Sequence, residues 1–264
     1  MTFQFDGFIE CLISGIKYLP NTLILTFVPV FIALIVGTII AIIRIFKVPI
    51  LSQVLTVFIT VYTGIPFVIA MMVYNLLFML KFDYLAHALH WNIQMADVPT
   101  IWIGIFALSL SAICSMTEAI RGAFLSIDKG QYEAGHSVGL TMRQIMIRII
   151  IPQVIPVAVP MLLNSLVGVL KGTSVVMTIG IMDVLNASLV PCQTTYSFLV
   201  GYVAAAIIYW VLTIVIEYFA KILRDKLNKH EKAIVSHSNT NEILKKFFIG
   251  SASFVKGKLQ RSKG

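Results

Sequence analysis

Five stretches free of Asp, Glu, Lys and Arg, at residues 18–43, 48–80, 98–117, 149–170 and 184–216, constrain this chain more than any other feature. A helix needs about 20 mostly apolar residues to cross the hydrocarbon core of a bilayer, so each run is long enough to span. With 58% hydrophobic and only 12% charged residues over 264 positions, the composition leaves too little polar surface for a soluble domain of this size. The chain reads as an all-α polytopic membrane protein with five spans. No small-residue cleavage pattern follows the first run, so no removable signal peptide is expected.

The basic residues set the expected orientation, because cytoplasmic flanks retain Lys and Arg. Arg44 and Lys47 follow the first run, Arg121, Lys129, Arg143 and Arg148 lie between the third and fourth, and eleven more stretch from Lys221 to Lys263. Only Lys17, Lys81 and Lys171 fall on the opposite side. This predicts an extracytoplasmic N-terminal segment at 1–17, a transmembrane domain at 18–225 and a basic cytoplasmic tail at 226–264. The tail accounts for much of the +8 charge, and with no folded soluble face to carry it, nucleic acid is not an expected partner; the lipid membrane is.

Two segments complicate the count. Residues 172–190 are apolar enough to suggest a sixth span, but a sixth crossing would export the basic tail, so a short or re-entrant helix buried against protein is expected there. The run at 48–80 would measure about 50 Å as one helix against a core of about 30 Å. It contains Thr63, Gly64, Ile65 and Pro66 near its middle. Pro66 cannot donate to the carbonyl of Tyr62 and Gly64 loosens the turn, so the helix is expected to tilt or break there. Broken helices at membrane depth often line a transport pathway; an ordinary proline kink is the alternative.

Ionisable and polar residues within spans need partners or a role. Glu118 and Arg121 share a helix face at i,i+3 spacing, as a structural ion pair or a substrate contact. Asp183 is either an attractor for an ammonium group or a helix cap. Asn164 is either interhelical glue or a pathway group. The chain shows no catalytic constellation, no phosphate loop and no metal motif; His87 and His90 lack a third ligand nearby, so neither a cofactor nor a metal is expected. Of the three cysteines, Cys114 lies within a span and is expected to be inert, whereas Cys11 and Cys192 fall on the same outer side, which leaves pairing open.

Between the third and fourth runs lies KGQYEAGHSVGLTMRQIMIRIIIPQ, residues 129–153, a polar amphipathic stretch. A short helix ending at Gly139 is expected, with Ala134 and Gly135 leaving one face flat enough to enter a groove on a partner, or else to rest on lipid headgroups. Pro152 marks the return to the bilayer.

Glu133, Ala134, Gly135 and Gly139, followed by Ile151 and Pro152, resemble the EAA loop of ATP-binding-cassette importer permeases. The neighbouring EAIRGAF, IIIPQ and LKGTSVVMTIG are similar to the polar amino-acid uptake branch, which includes cystine, glutamine and histidine permeases, and the resemblance covers about residues 15–225. It implies a type I importer permease fold with five core helices in a multi-pass protein of the bacterial cell membrane. It also implies a second permease subunit, identical or homologous, two ATP-binding-cassette ATPase subunits and an extracytoplasmic substrate-binding protein. Glu133, Ala134, Gly135, Gly139 and Pro152 would form the ATPase-coupling element, and Thr63, Gly64, Pro66, Glu118, Asn164 and Asp183 the substrate pathway. The chain departs from the family's Arg-Gly-Thr-Pro at Thr63 to Pro66 and from Lys-Asp-Thr-Ser at Lys171 to Ser174. The missing arginine puts the substrate in doubt, with cystine favoured. ATP hydrolysis would belong to other chains. An ATPase-independent secondary transporter or channel for a small polar solute is the alternative, though no internal repeat supports it. An assembly factor would leave 129–153 unexplained.

Overall fold

The computed structural model describes residues 5–237, and the chain divides into two units, residues 1–220 and 221–264. All regular elements among the described residues are helical. Five segments are long and apolar enough to cross a membrane: Leu19–Ile45, Phe67–Ala88, Ile101–Leu125, Met142–Ile179 and Phe198–Leu227. The five-span expectation therefore stands. In the second unit the described residues, 221–237, are helical; the rest of the expected basic tail lies outside the described residues.

Helix α1 (Phe5–Lys17) precedes the first span, α2 (Leu19–Ile45). Pro20 lies in the first turn of α2, where a missing N–H breaks no helical bond. The 48–80 run is two helices, α3 (Leu51–Thr63) and α4 (Phe67–Ala88), with the break where Gly64 and Pro66 predicted it. Only α4 is long enough to span.

Helix α5 (Ile101–Leu125) is the most buried of the spans and packs chiefly on α2. The buried positions of α2, including Leu25, Pro29, Ala33, Gly37 and Ala41, recur every three or four residues and so form one face. In lipid there is little hydrophobic drive between helices, and close packing of small residues replaces it. The Thr117 hydroxyl donates to the Gly37 carbonyl at 3.3 Å, which shows how near the two backbones come. Leu25, Met71, Leu108, Met116, Val169 and Val176 continue this core into α4 and α8.

After α6 (Lys129–Ser137) and the short α7 (Met142–Ile145), one π turn (Met146–Ile150) leads into α8 (Ile151–Gly172). Pro152, Pro156 and Pro160 each lack an N–H, and the π turn directly precedes the first of them. A 3-10 stretch (Thr173–Ile179) and a turn at Gly180 follow, then α9 (Val184–Leu189), α10 (Cys192–Thr195) and α11 (Phe198–His237). Of the expected short or re-entrant segment at 172–190, residues 172–179 continue the fourth span and Val184–Leu189 is a short helix, so no separate sixth span lies there. One boundary needs correction: residues 184–197 are not the start of the fifth span, which begins at Phe198. The cap at Asp183 and the proline at 191 start new helices in an apolar stretch that charge counting could not subdivide.

Candidate functional site: a cavity, an ionic cluster and a polar helix

A cavity of about 510 Å³ opens between α5, α8 and the start of α4. Ser111 and Ser115 face it from α5, Asn164, Ser165 and Gly168 from α8, and Phe67 from α4. The i,i+4 spacings 111/115 and 164/168 put each set on one helical face. The Ser115 and Ser165 hydroxyls meet at 3.1 Å, while the Asn164 amide takes no partner among the described residues. No charged side chain lines the cavity. Its wall therefore presents hydroxyl and amide groups that can donate to a carboxylate and accept from an ammonium group. Of the expected pathway residues, only Asn164 lies on this wall; the serines were not anticipated, although Ser111, Ser115 and Glu118 share an i, i+4, i+7 stripe visible in the sequence.

The break between α3 and α4 adjoins the cavity through Phe67, but Thr63, Gly64 and Pro66 are exposed and do not line it. The expected freeing of polar groups is partly undone, because the Val61 and Tyr62 carbonyls accept from the Gly64 and Ile65 amides at 3.2 and 3.1 Å. The Thr63 hydroxyl donates back to the Ile59 carbonyl at 2.8 Å. Pro66 then takes an extended conformation and caps α4.

One turn beyond Ser115, Glu118 sits between two arginines. Arg121 pairs with it at 2.8 Å along α5, as the i,i+3 spacing predicted, and Arg44 of α2 pairs with its other oxygen at 2.5 Å. Arg44 also donates to the Thr56 hydroxyl of α3 at 3.0 Å, so one guanidinium ties three helices. Its side chain is only 6% exposed, against 36% for Glu118 and Arg121. Arg44 lies 74 residues from Glu118 in sequence, and no local pattern announces the contact. Glu118 is thus held in an ionic cluster adjoining the cavity face, not on the cavity wall.

Asp183 is elsewhere and does not line the cavity. It is fully buried and caps α9, accepting from the Leu185 and Asn186 amides at 3.2 and 2.9 Å and from the Tyr209 hydroxyl at 2.8 Å. The neighbouring Val184 amide donates to the Thr22 hydroxyl at 3.0 Å. Fully buried and holding three donors of the chain, this carboxylate takes the helix-cap geometry, the second of its two expected roles.

Helix α6 is built by its ends. Asp128 caps the first turn by accepting from the Gly130 amide. At the other end Gly139 adopts φ +79°, a left-handed conformation open to glycine, and the Gly139 and Leu140 amides donate to the His136 and Gly135 carbonyls at 3.0 and 3.1 Å. That pair of bonds is a Schellman stop. Tyr132 packs with Ala123, Ile145, Met146 and Ile150 beneath the helix, and this burial pushes its phenol above its ordinary value. Glu133 and Ala134 are exposed, and Glu133 forms no ion pair among the described residues. Gly135 differs from the flat-face expectation. It is buried, and a Cβ there would lie 2.7 Å from Cγ1 of Ile145, so its smallness serves packing on α7 and not the open face. Pro152 is exposed in the first turn of α8.

Residues 18–229 match the family model for the binding-protein-dependent transport system inner membrane component. A probable amino-acid ABC transporter permease protein, PatM of Vibrio harveyi, is 30% identical over 231 residues, covering 87% of this chain and 98% of the relative. The L-cystine transport system permease protein TcyL of Bacillus subtilis (strain 168) is 28% identical over 224 residues, covering 85% of this chain and 91% of the relative. The crystal structure of an amino acid ABC transporter with histidines superposes with a TM-score of 0.74 at 27% identity, covering 86% of this chain and all of the matched one.

Proposed function

The chain belongs to the binding-protein-dependent inner-membrane components as the permease subunit of an amino-acid ABC importer, and from that membership we propose that the cavity lined by Ser111, Ser115, Asn164 and Ser165 is where the amino acid is held on its way across. The observation that carries this reading is an uncharged cavity of about 510 Å³ between two spans, with three serine hydroxyls and one amide set among apolar side chains. Such a wall suits a zwitterion, whose carboxylate and ammonium groups need donors and acceptors but no fixed counter-charge. It favours cystine, which is net neutral, over a cationic amino acid; the likeness to the cystine permease supports the same choice. Thr63, Gly64 and Pro66 act at one remove, by aiming Phe67 at the cavity. Glu118, clasped by Arg44 and Arg121, is a latch adjoining it that must loosen for solute to leave.

The coupling element is α6. Glu133 and Ala134 meet an ATPase subunit, Gly135 seats the helix on Ile145, Gly139 stops it and Pro152 begins the return span. ATP hydrolysis takes place on two separate ATP-binding-cassette subunits. A second permease subunit and an extracytoplasmic binding protein complete the importer. The N-terminus lies outside and the C-terminus in the cytoplasm, as the distribution of Lys and Arg supports.

Two experiments separate cavity from coupling. In the reconstituted importer, Asn164→Leu should cut amino-acid uptake by about tenfold, the scale of roughly 1.4 kcal/mol of lost binding, while the complex still assembles; unchanged uptake would remove Asn164 from the pathway. Competition of labelled cystine by glutamine and arginine would identify the cargo. For coupling, Gly135→Ala forces its Cβ against Ile145, with an overpacking cost of about 1–3 kcal/mol. Substrate-stimulated ATPase activity should fall several-fold and recover on adding Ile145→Ala. Full stimulation in Gly135→Ala alone would refute the seating role.

A further inference from the structure

Cys11 in α1 and Cys192 at the start of α10 are 181 residues apart in sequence, yet their Sγ atoms lie 3.2 Å apart. Both side chains are buried, packed with Val200 and Ala204 of α11. Each partner is held in place by its own element. The Ser14 hydroxyl, one turn from Cys11, donates to the Ala187 carbonyl of α9 at 2.8 Å, and a Cβ on Gly201 would lie 2.8 Å from the Cys192 sulfur. A thiol is a weak donor and a weak acceptor, so a buried thiol pair gains little from this contact. A disulfide has an S–S length of about 2.05 Å, so closure asks for about 1 Å of movement.

We infer that Cys11 and Cys192 form a disulfide site that staples α1 to the segment leading into the last span. Its occupation in the cell rests on the reading that this face is extracytoplasmic, where disulfides persist. The co-reactant is a disulfide-bearing oxidant. The Cys192 thiolate attacks it, forming a mixed disulfide and expelling one thiolate; the Cys11 thiolate then attacks the Cys192 sulfur, forming the Sγ–Sγ bond and expelling the second. Two electrons pass to the oxidant, and the two thiol protons end on the released thiolates. Burial, together with the hydrogen bond to Cys192, pushes the Cys11 thiol up to about 12. This disfavours Cys11 as the first attacker once α1 has docked, since the thiolate is the nucleophile.

The test uses the full-length chain, purified and equilibrated with oxidised glutathione or with dithiothreitol, then acid-quenched, denatured and alkylated for peptide mass spectrometry. With oxidised glutathione, Cys114 should be the only alkylated cysteine and a cross-linked peptide should join 11 to 192; after dithiothreitol all three cysteines should be alkylated. Three alkylated cysteines in both conditions, or glutathione adducts without the cross-link, would overturn the site. A parallel sample alkylated in intact cells before lysis addresses sidedness. If the purified chain closes but the cellular one carries only free thiols, the extracytoplasmic placement fails and the site stands.

Discussion

Glu118 and Asp183 are both carboxylates of the helical bundle, held in opposite ways. Glu118 is a third exposed and is met by two cations, Arg44 and Arg121. Asp183 is wholly buried and is met by neutral donors alone, two backbone amides and a tyrosine hydroxyl. The first arrangement leaves room for exchange, because Glu118 and Arg121 are each 36% exposed and one partner can be replaced at a time. The second has no such route; every donor is fixed by α9 or by the packing of Tyr209. A carboxylate within a membrane bundle is therefore not by itself a sign of transport. What distinguishes a moving part from a fixed one is whether its partners can be exchanged without leaving a buried group unpaired.

The largest expected effect breaks the fixed side. Asp183→Ala leaves the Leu185 and Asn186 amides without their acceptor and the Tyr209 hydroxyl with Thr173 alone, at a cost of about 3 kcal/mol. The purified protein should melt several degrees lower and lose yield. Normal stability with failed uptake would reinstate Asp183 as a pathway group. Next is Glu118→Gln, which keeps the shape but leaves the guanidinium of Arg44, nearly buried, beside a neutral amide. Breaking a wholly buried pair costs about 3–5 kcal/mol, and the partial exposure here lowers the expectation to about 1–2 kcal/mol. Its main signature should be functional: ATPase activity that no longer depends on substrate. A smaller step is Arg44→Lys, which retains a charge for Glu118 but gives up the fork that also reaches Thr56. We expect about 1 kcal/mol of destabilisation, with partial transport. If Arg44→Lys matched Glu118→Gln in uncoupling, three-helix geometry and not charge would govern the latch.

These two carboxylates also mark how far the amino-acid sequence could be read. The spans were legible because charge-free runs are a direct record of what lipid tolerates, and the break at Gly64 to Pro66 because proline acts locally. The Glu118–Arg121 pair was legible for the same reason, being three residues apart on one helix. Arg44 was not, since its link to Glu118 joins α2 to α5 across tertiary space and its charge had already been explained by topology. Asp183 was legible only as an even choice: its cap bonds to Leu185 and Asn186 are local, but its third donor, Tyr209, is distant in sequence. Gly135 shows a different limit. A small residue in a polar helix reads equally as an open face or as a seat for a neighbour, and only the position of Ile145 separates the two.

The smallest effect is the sharpest test of the comparison, because it asks what each carboxylate needs its charge for. Asp183→Asn keeps an oxygen in place, and one amide oxygen has two lone pairs for the three donors that Asp183 serves. One donor loses its acceptor to the new NH2 group, and removal of the buried charge offsets part of that loss, so the net cost should be about 1 kcal/mol. Glu118→Gln makes the same chemical change and should be the worse of the two, because its partners are cations that an amide cannot neutralise. Measured side by side by thermal unfolding and by uptake, Asp183→Asn should remain near wild type in both. The reverse order would mean that the buried cap depends on its negative charge, and the distinction between fixed and exchangeable carboxylates would then have to be drawn from something other than the partners they keep.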